Sequence, residues 1–254
     1  MAATIETGVE GGLGRLVLNH PPLNILTQDM LAEIRAAIRD FEADSAVRAL
    51  LVSAHGKHFS AGADVGEHLP PLYRQMIPEF LETVAAIDAF PLPVVAAVQG
   101  KCLGGGFEVV QAADIVIAAD DASFGQPEIL LGVFPPAACV LLPERCDSGL
   151  AADLVLSGAV IEAIEALKHG LIRKIVPASE LEDEATATAQ RIARHSRAAL
   201  EITKRALRNG STQRRAAAFR DVGDIYVEEL MNTADAVEGL RAFQEKRQPT
   251  WSHR

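Results

Sequence analysis

Cysteine is scarce in this chain. Cys102, Cys139 and Cys146 are the only three among 254 residues, an odd number with no C-x-x-C spacing. They indicate neither a disulfide framework nor a zinc ribbon, and buried or idle thiols are the expectation. Long apolar runs are missing as well. The longest, around 90–98, is broken by Pro91 and Pro93 and is too short to cross a bilayer. The opening residues, Met-Ala-Ala-Thr-Ile-Glu, carry neither the basic end and apolar block of a secretory signal nor the arginine-rich pattern of a transit peptide, which predicts a cytoplasmic protein. Basic charge is in deficit. The 24 Lys and Arg against 34 Asp and Glu leave a formal charge of −10, which argues against nucleic acid as the main partner, because phosphate binding needs a net basic face.

Several catalytic signatures are also missing. There is no G-x-x-x-x-G-K-[ST], no G-x-G-x-x-G after the first strand and no G-x-S-x-G, which removes the signals of P-loop, dinucleotide-binding and serine-hydrolase chemistry. Neither Tyr73 nor Tyr226 is followed four residues later by lysine, as a short-chain dehydrogenase would require. His55 and His58 flank Gly56-Lys57 on a loop without a zinc-type carboxylate motif, and no metal is predicted.

What is present reads as an ordered α/β protein. Hydrophobic residues make up 49% and charged residues 23%, a balance suited to a substantial interior. Short β-rich runs recur at 15–19, 49–53, 94–98, 115–118 and 172–176, with helical patterns between them. The clearest helix opens at Thr27, an N-cap residue, and places Met30, Leu31, Ile34, Ala37, Ile38 and Phe41 on one face. From about Ser179 the strand signals stop. Helical spacing continues through 200–207, ended by Asn209-Gly210, then through 222–230 and 234–243. The chain accordingly divides into an α/β core, 1–195, and a helical C-terminal region, 196–254. The basic cluster Lys204, Arg205, Arg208, Arg214 and Arg215 reads as a solvated helical face.

Three loops carry chemistry. Gly100 to Glu108 follows an apolar strand and contains Gly104-Gly105-Gly106, which is either a tight turn or a place where ligand approaches backbone N–H groups at a helix start. Ser60-Ala61-Gly62-Ala63-Asp64-Val65 follows another strand, at the end where open α/β sheets bind ligands, or forms an ordinary small-residue loop. Phe124-Gly125-Gln126-Pro127-Glu128 sets a carboxylate between a proline-fixed turn and the apolar Ile129-Leu130-Leu131. That carboxylate is either a solvated edge residue or an acid whose pKa is raised by desolvation.

In this order and separation the three loops resemble the crotonase (enoyl-CoA hydratase/isomerase) superfamily, with similarity running from about Leu16 to Val176 and more weakly to Glu238-Gly239 and Glu245-Lys246-Arg247. The resemblance implies a spiral of β-β-α units with a C-terminal helical region that builds homotrimers or homohexamers. It implies backbone N–H groups of Ala63 and Gly105 polarising a thioester, and Glu108 and Glu128 moving protons, Glu108 on water and Glu128 on carbon. Leu23, Ile25, Ala61, Asp64 and Val65 match segments that contact coenzyme A, which enters as part of an acyl-CoA substrate and not as a separate cofactor. The implied activity is a hydratase-type lyase. A double-bond isomerase or a silent CoA- or RNA-binding relative are the alternatives.

One departure from the straight-chain pattern points to substrate. After Glu128 the chain reads Gly132-Val133-Phe134-Pro135-Pro136-Ala137-Ala138, where two prolines and two alanines should stiffen and narrow the wall beside the second carboxylate. With 64–70 and 21–26, this run resembles the alicyclic dienoyl-CoA hydratase branch. The expected reaction is hydration of cyclohexa-1,5-diene-1-carbonyl-CoA to 6-hydroxycyclohex-1-ene-1-carbonyl-CoA, with a general 2-enoyl-CoA hydratase as the alternative.

Overall fold

A computed structural model describes residues 3–208 and 210–253. In chain order it contains β1 (Ile5–Glu10), β2 (Leu13–Leu18), α1 (Gln28–Ala43), β3 (Ala49–Ala54), α2 (Tyr73–Ala89), β4 (Val94–Val98), β5 (Lys101–Leu103) and α3 (Gly105–Gln111). β6 (Ile115–Ala119), β7 (Ser123–Gly125), α4 (Pro136–Arg145), α5 (Ser148–Ser157), β8 (Val160–Glu162), α6 (Ala163–Lys168) and β9 (Lys174–Val176) follow. The chain closes with α7 (Leu181–Ala193), α8 (Arg197–Arg208), α9 (Ser211–Asp224) and α10 (Ala234–Gln244).

The main sheet has the order β1-β2-β3-β4-β6-β9, antiparallel only between β1 and β2. A small second sheet has the order β5-β7-β8 and is extended by a bridge between Ser60 and Cys102. Each main-sheet strand β3, β4 and β6 therefore hands the chain to a short extended segment in the second layer and then to a helix. This repeated step is the β-β-α spiral. Both faces of the main sheet are covered, which is why β4 is apolar at every position. Leu50, Val52, Val94, Ala96 and Val98 face the large core against α1 and α2, whereas Leu51, Val95, Ala97 and Ile117 meet Ala185 and Ala189 of α7.

Helix α1 behaves as its spacing predicts. Thr27 accepts a hydrogen bond from Met30 N at 3.3 Å, and the six apolar residues of its face are all buried. The C-terminal helices are less regular than the spacing suggests. The pattern over 222–230 is not one α-helix, because α9 stops at Asp224 and a wider π-helical turn, Ile225–Glu229, takes over. Asn209 lies outside the described residues, and Gly210 has the left-handed φ of +78° that favours glycine.

The basic cluster is a solvated face only at Arg205 and Arg214, which are exposed. Lys204 and Arg215 are buried, and with Arg208 they wrap two acidic residues of the core. Lys204 Nζ reaches Asp114 at 2.6 Å and the carbonyl of Leu92 at 2.8 Å, and Arg208 bonds both Asp114 and Asp88. Arg215 holds Asp88 at 2.9 Å and Glu144 at 2.6 Å. Burial pulls the Lys204 ammonium down to about 8 despite its acidic partners. At Asp114 burial pushes upward, and Lys204 and Arg208 outweigh it and hold the carboxyl below its ordinary value. The spacing of these cations matches a polar stripe, but their acidic partners lie between 71 and 127 residues away in sequence. Replacing Asp88 by Ala removes the buried counter-charge that Arg208 and Arg215 share, leaving them only Asp114 and Glu144, and should cost about 3 kcal/mol. Removal of the exposed Arg74–Glu228 pair by Arg74→Ala should cost under about 1 kcal/mol. Thermal denaturation of the two variants side by side checks the difference.

Candidate active site

The loops that follow β3 and β4 meet at one end of the sheet and enclose a cavity of about 390 Å³. Its position follows from pairing. Leu26 forms a parallel bridge with Ala63, in which Leu26 N donates to the Gly62 carbonyl at 3.0 Å and Asp64 N donates to the Leu26 carbonyl at 3.1 Å. In such a bridge the N–H of the residue between must point the other way, so Ala63 N faces the cavity. Gly105 is the first residue of α3, whose N–H has no partner within the helix. Among the described residues neither N–H has a protein acceptor. The two residues are neighbours: a Cβ placed on Gly105 would stand 3.3 Å from Ala63 N. Free donors on neighbouring residues beside a cavity are the kind of group that can hold an oxyanion.

Gly104 makes the junction possible. Its φ is +53°, and a Cβ there would come within 2.6 Å of Glu128 Oε1, so a side chain would displace the carboxylate from the backbone turn. Glu128 itself stands in the short 3-10 turn Pro127–Leu131 and is partly open to the cavity. The buried Gln126 amide, with its nitrogen turned to Glu128, donates to both carboxylate oxygens at 3.1 and 3.3 Å and accepts from Gln111 Nε2 at 2.9 Å.

Glu108 is buried on α3 and faces the N-terminus of α4. Its Oε1 accepts from Ala137 N at 2.7 Å and from Ala138 N at 2.9 Å. Pro136 at the first position of α4 has no N–H to satisfy, so the carboxylate of one helix caps the next. The Phe-Pro-Pro-Ala run thus acts mainly on the first carboxylate through its backbone. Beside the second carboxylate, Val133 N donates to the Glu128 carbonyl at 3.3 Å. Burial acts on both acids. Burial raises Glu108 to about 7, although the two N–H bonds pull it down. Glu128 is raised further, by burial first and by the charge of Glu108 second.

The structure gathers Ala61, Ala63, Val65, Gly105, Glu108 and Glu128 around this cavity. Leu23, Ile25 and Asp64 lie outside its lining: Leu23 is exposed and accepts from Ala61 N, and the Asp64 carboxylate accepts from Gly66 N at 2.7 Å. His55 pairs with Glu6, and His58 Nδ1 accepts from Lys101 N, so the two histidines serve separate bonds. Burial, reinforced by Glu108 and Glu128, pushes the Cys139 thiol up to about 12, which keeps it protonated and inert.

Residues that single motifs did not reveal complete the walls. Met76, Ile77 and Phe80 come from α2, and Gly239, Leu240 and Phe243 come from α10. Helical periodicity marks these as apolar faces but cannot say which cavity a face closes. No described helix is long and apolar enough to cross a membrane.

Residues 8–254 match the family model for enoyl-CoA hydratase/isomerase. The chain is 42% identical over 248 residues to a cyclohexa-1,5-dienecarbonyl-CoA hydratase from Thauera aromatica, covering 96% of this chain and 95% of that one. It is 35% identical over 257 residues to a probable mitochondrial enoyl-CoA hydratase from Dictyostelium discoideum, covering 99% and 91%. The crystal structure of an enoyl-CoA hydratase/isomerase from Pseudoalteromonas atlantica T6c superposes with a TM-score of 0.90 at 29% identity, covering 98% and 100%. Matched along nearly its whole length in sequence and fold, the protein belongs to the enoyl-CoA hydratase/isomerase family, as an enzyme of the hydratase lyase type.

Proposed function

We propose that the chain hydrates cyclohexa-1,5-diene-1-carbonyl-CoA to 6-hydroxycyclohex-1-ene-1-carbonyl-CoA. The observation that carries the hydratase chemistry is the pair of carboxyl groups, Glu108 and Glu128, gathered beside two free N–H donors in one apolar cavity. The ring substrate is supported by the 42% identity to the Thauera aromatica protein of that name. The 35% identity to the Dictyostelium discoideum protein favours a second reading, a general 2-enoyl-CoA hydratase.

Glu108, ionised at neutral pH, takes a proton from water while the water oxygen bonds to ring carbon C2. The C1=C2 electrons move onto the thioester oxygen, held by Ala63 and Gly105 N–H, each donor worth about 3 kcal/mol in the transition state. The charge returns through the ring, C1=C6 forms as C5=C6 is lost, and C5 takes the proton of Glu128. Water and proton thus enter at opposite ends of the diene. Coenzyme A arrives with the substrate, along a path that includes Leu23, Ile25, Ala61, Asp64 and Val65. A cytoplasmic homotrimer or homohexamer built through 196–254 completes the reading, in keeping with the family resemblance.

Glu108→Gln and Glu128→Gln should each lower turnover by roughly 10² to 10⁴ while retaining CoA binding, measured as steady-state hydration alongside calorimetric titration. Near-normal hydration by either variant removes that residue from proton transfer. The pH profile of kcat/KM should be bell-shaped. As pH rises through about 7, Glu108 ionises and the rate climbs. At higher pH Glu128 loses the proton that it must donate, and the rate falls. Comparison of kcat/KM for the cyclic diene and for crotonyl-CoA tests the substrate: preference for crotonyl-CoA overturns the ring reading and leaves the hydratase chemistry standing.

A further inference from the structure

Two buried amides stand behind Glu128. Gln126 has no exposed surface and Gln111 almost none, and neither lines the cavity, so both act on substrate only through another group. Gln111 closes α3, the helix that carries Glu108, and Gln126 joins β7 to the 3-10 turn that carries Glu128. The three side chains form a row. One end of the Gln126 amide lies 3.1 and 3.3 Å from the two Glu128 oxygens, and the other end lies 2.9 Å from the Gln111 amide.

This row bonds equally well in two directions. An ionised Glu128 can only accept, so Gln126 Nε2 donates to it and Gln126 Oε1 accepts from Gln111 Nε2. Gln111 Oε1 is then left buried without a partner among the described residues. A protonated Glu128 has an O–H to give. With both amides turned over, that O–H donates to Gln126 Oε1, and Gln126 Nε2 donates to Gln111 Oε1, the acceptor left over before. The two ends of an amide have nearly the same shape, so the reversal keeps the spacing of the row.

We propose that Gln126 and Gln111 are positioning residues that form a reversible amide relay, donating to Glu128 when it is ionised and accepting from it when it is protonated. The inference rests on Glu128 as the acid that protonates carbon and deepens that reading. As the Glu128 O–H bond breaks and the proton bonds to carbon, the electron pair stays on the carboxylate, where Gln126 Nε2 meets the new charge. A hydrogen bond to a charged group is the stronger of the two, so the relay favours the ionised form and sharpens the acid. Glu108, His68 and Arg247 line the cavity with Glu128, and Cys139 of α4 and Tyr226 of the π-helical turn feel its charge. Burial pushes the thiol and the phenol upward, which keeps both neutral. Of the other elements packed on the turn, α5 carries only the exposed Asp153, and Asp235 and Glu238 of α10 are bonded to the C-terminal segment.

The test follows kcat, KM and the pH profile of hydration in Gln126→Met, Gln111→Met and the double variant, using whichever of the cyclic diene and crotonyl-CoA the parent hydrates faster. Methionine keeps an unbranched side chain and donates nothing. Gln126→Met should lower kcat about tenfold, leave KM within about twofold and move the alkaline limb up by about one pH unit, because ionised Glu128 loses its donor. Gln111→Met should move the limb the same way by less. The double variant should match Gln126→Met, since Gln111 reaches Glu128 only through Gln126. An alkaline limb that stays in place in either single variant, or losses that multiply in the double variant, overturns the relay. If Gln126→Met does not fold, the limb in Gln111→Met decides alone. Glu128→Gln separates the relay from the reading beneath it: hydration that survives this change removes Glu128 from proton transfer and the relay with it, whereas hydration lost there beside an unmoved limb overturns the relay alone.

Discussion

The carboxylate of Glu108 bonded to the first free N–H groups of α4 is the contact on which the site is organised. A charged oxygen buried this deeply is costly unless donors meet it, and a helix start is costly to bury unless acceptors meet it. Each need is met by the other. The contact ties α3, which begins with the Gly105 donor, to α4, which carries the Pro135-Pro136 wall. It also ranks the two acids. Glu108 receives two N–H bonds and can ionise near neutrality, and its charge then holds the proton on its neighbour Glu128. Two residues of one type thus meet different surroundings, on which the different roles proposed for them rest.

Much of this is legible in the sequence because it depends on local signals. The strand 94–98 is an unbroken apolar run, and the spacing of residues 27–41 is enough to reveal both the cap and the buried face of α1. The glycines at 104–106 announce a place where only backbone fits, and the structure shows a carboxylate oxygen occupying the space a Cβ would need. Local signals fail where a residue's meaning depends on a partner remote in sequence. Arg208 and Arg215 have the spacing of a solvated stripe, and only the fold brings Asp88 and Asp114 against them. The Phe-Pro-Pro-Ala run gives its stiffness away but not the acid that its N–H groups serve. Strand β1 escapes notice because five of its six residues are exposed, which leaves no apolar alternation to read.

The ion cluster has a structural purpose for the site at some distance from it. Asp88 ends α2, and through Arg208 and Arg215 it fixes α8 and α9 against the core. The π turn that follows α9 aims Tyr226 inward, and α10 then crosses the cavity with Gly239, Leu240 and Phe243. Gly239 is required by closeness, since a Cβ there would lie 2.1 Å from the Leu131 carbonyl oxygen. A chain of packed elements thus connects a charged cluster in the C-terminal helices to the shape of an apolar pocket.

The cavity draws its walls from Ala61 near one end of the chain and from Pro249 near the other. The proposed oxyanion donors and both glutamates all precede in sequence the helix α10 that roofs them. A chain clipped ahead of Gly239 would keep the proposed reactive groups and leave them open to water, where carboxylates return to their ordinary acidity and hydrogen bonds to a thioester compete with solvent.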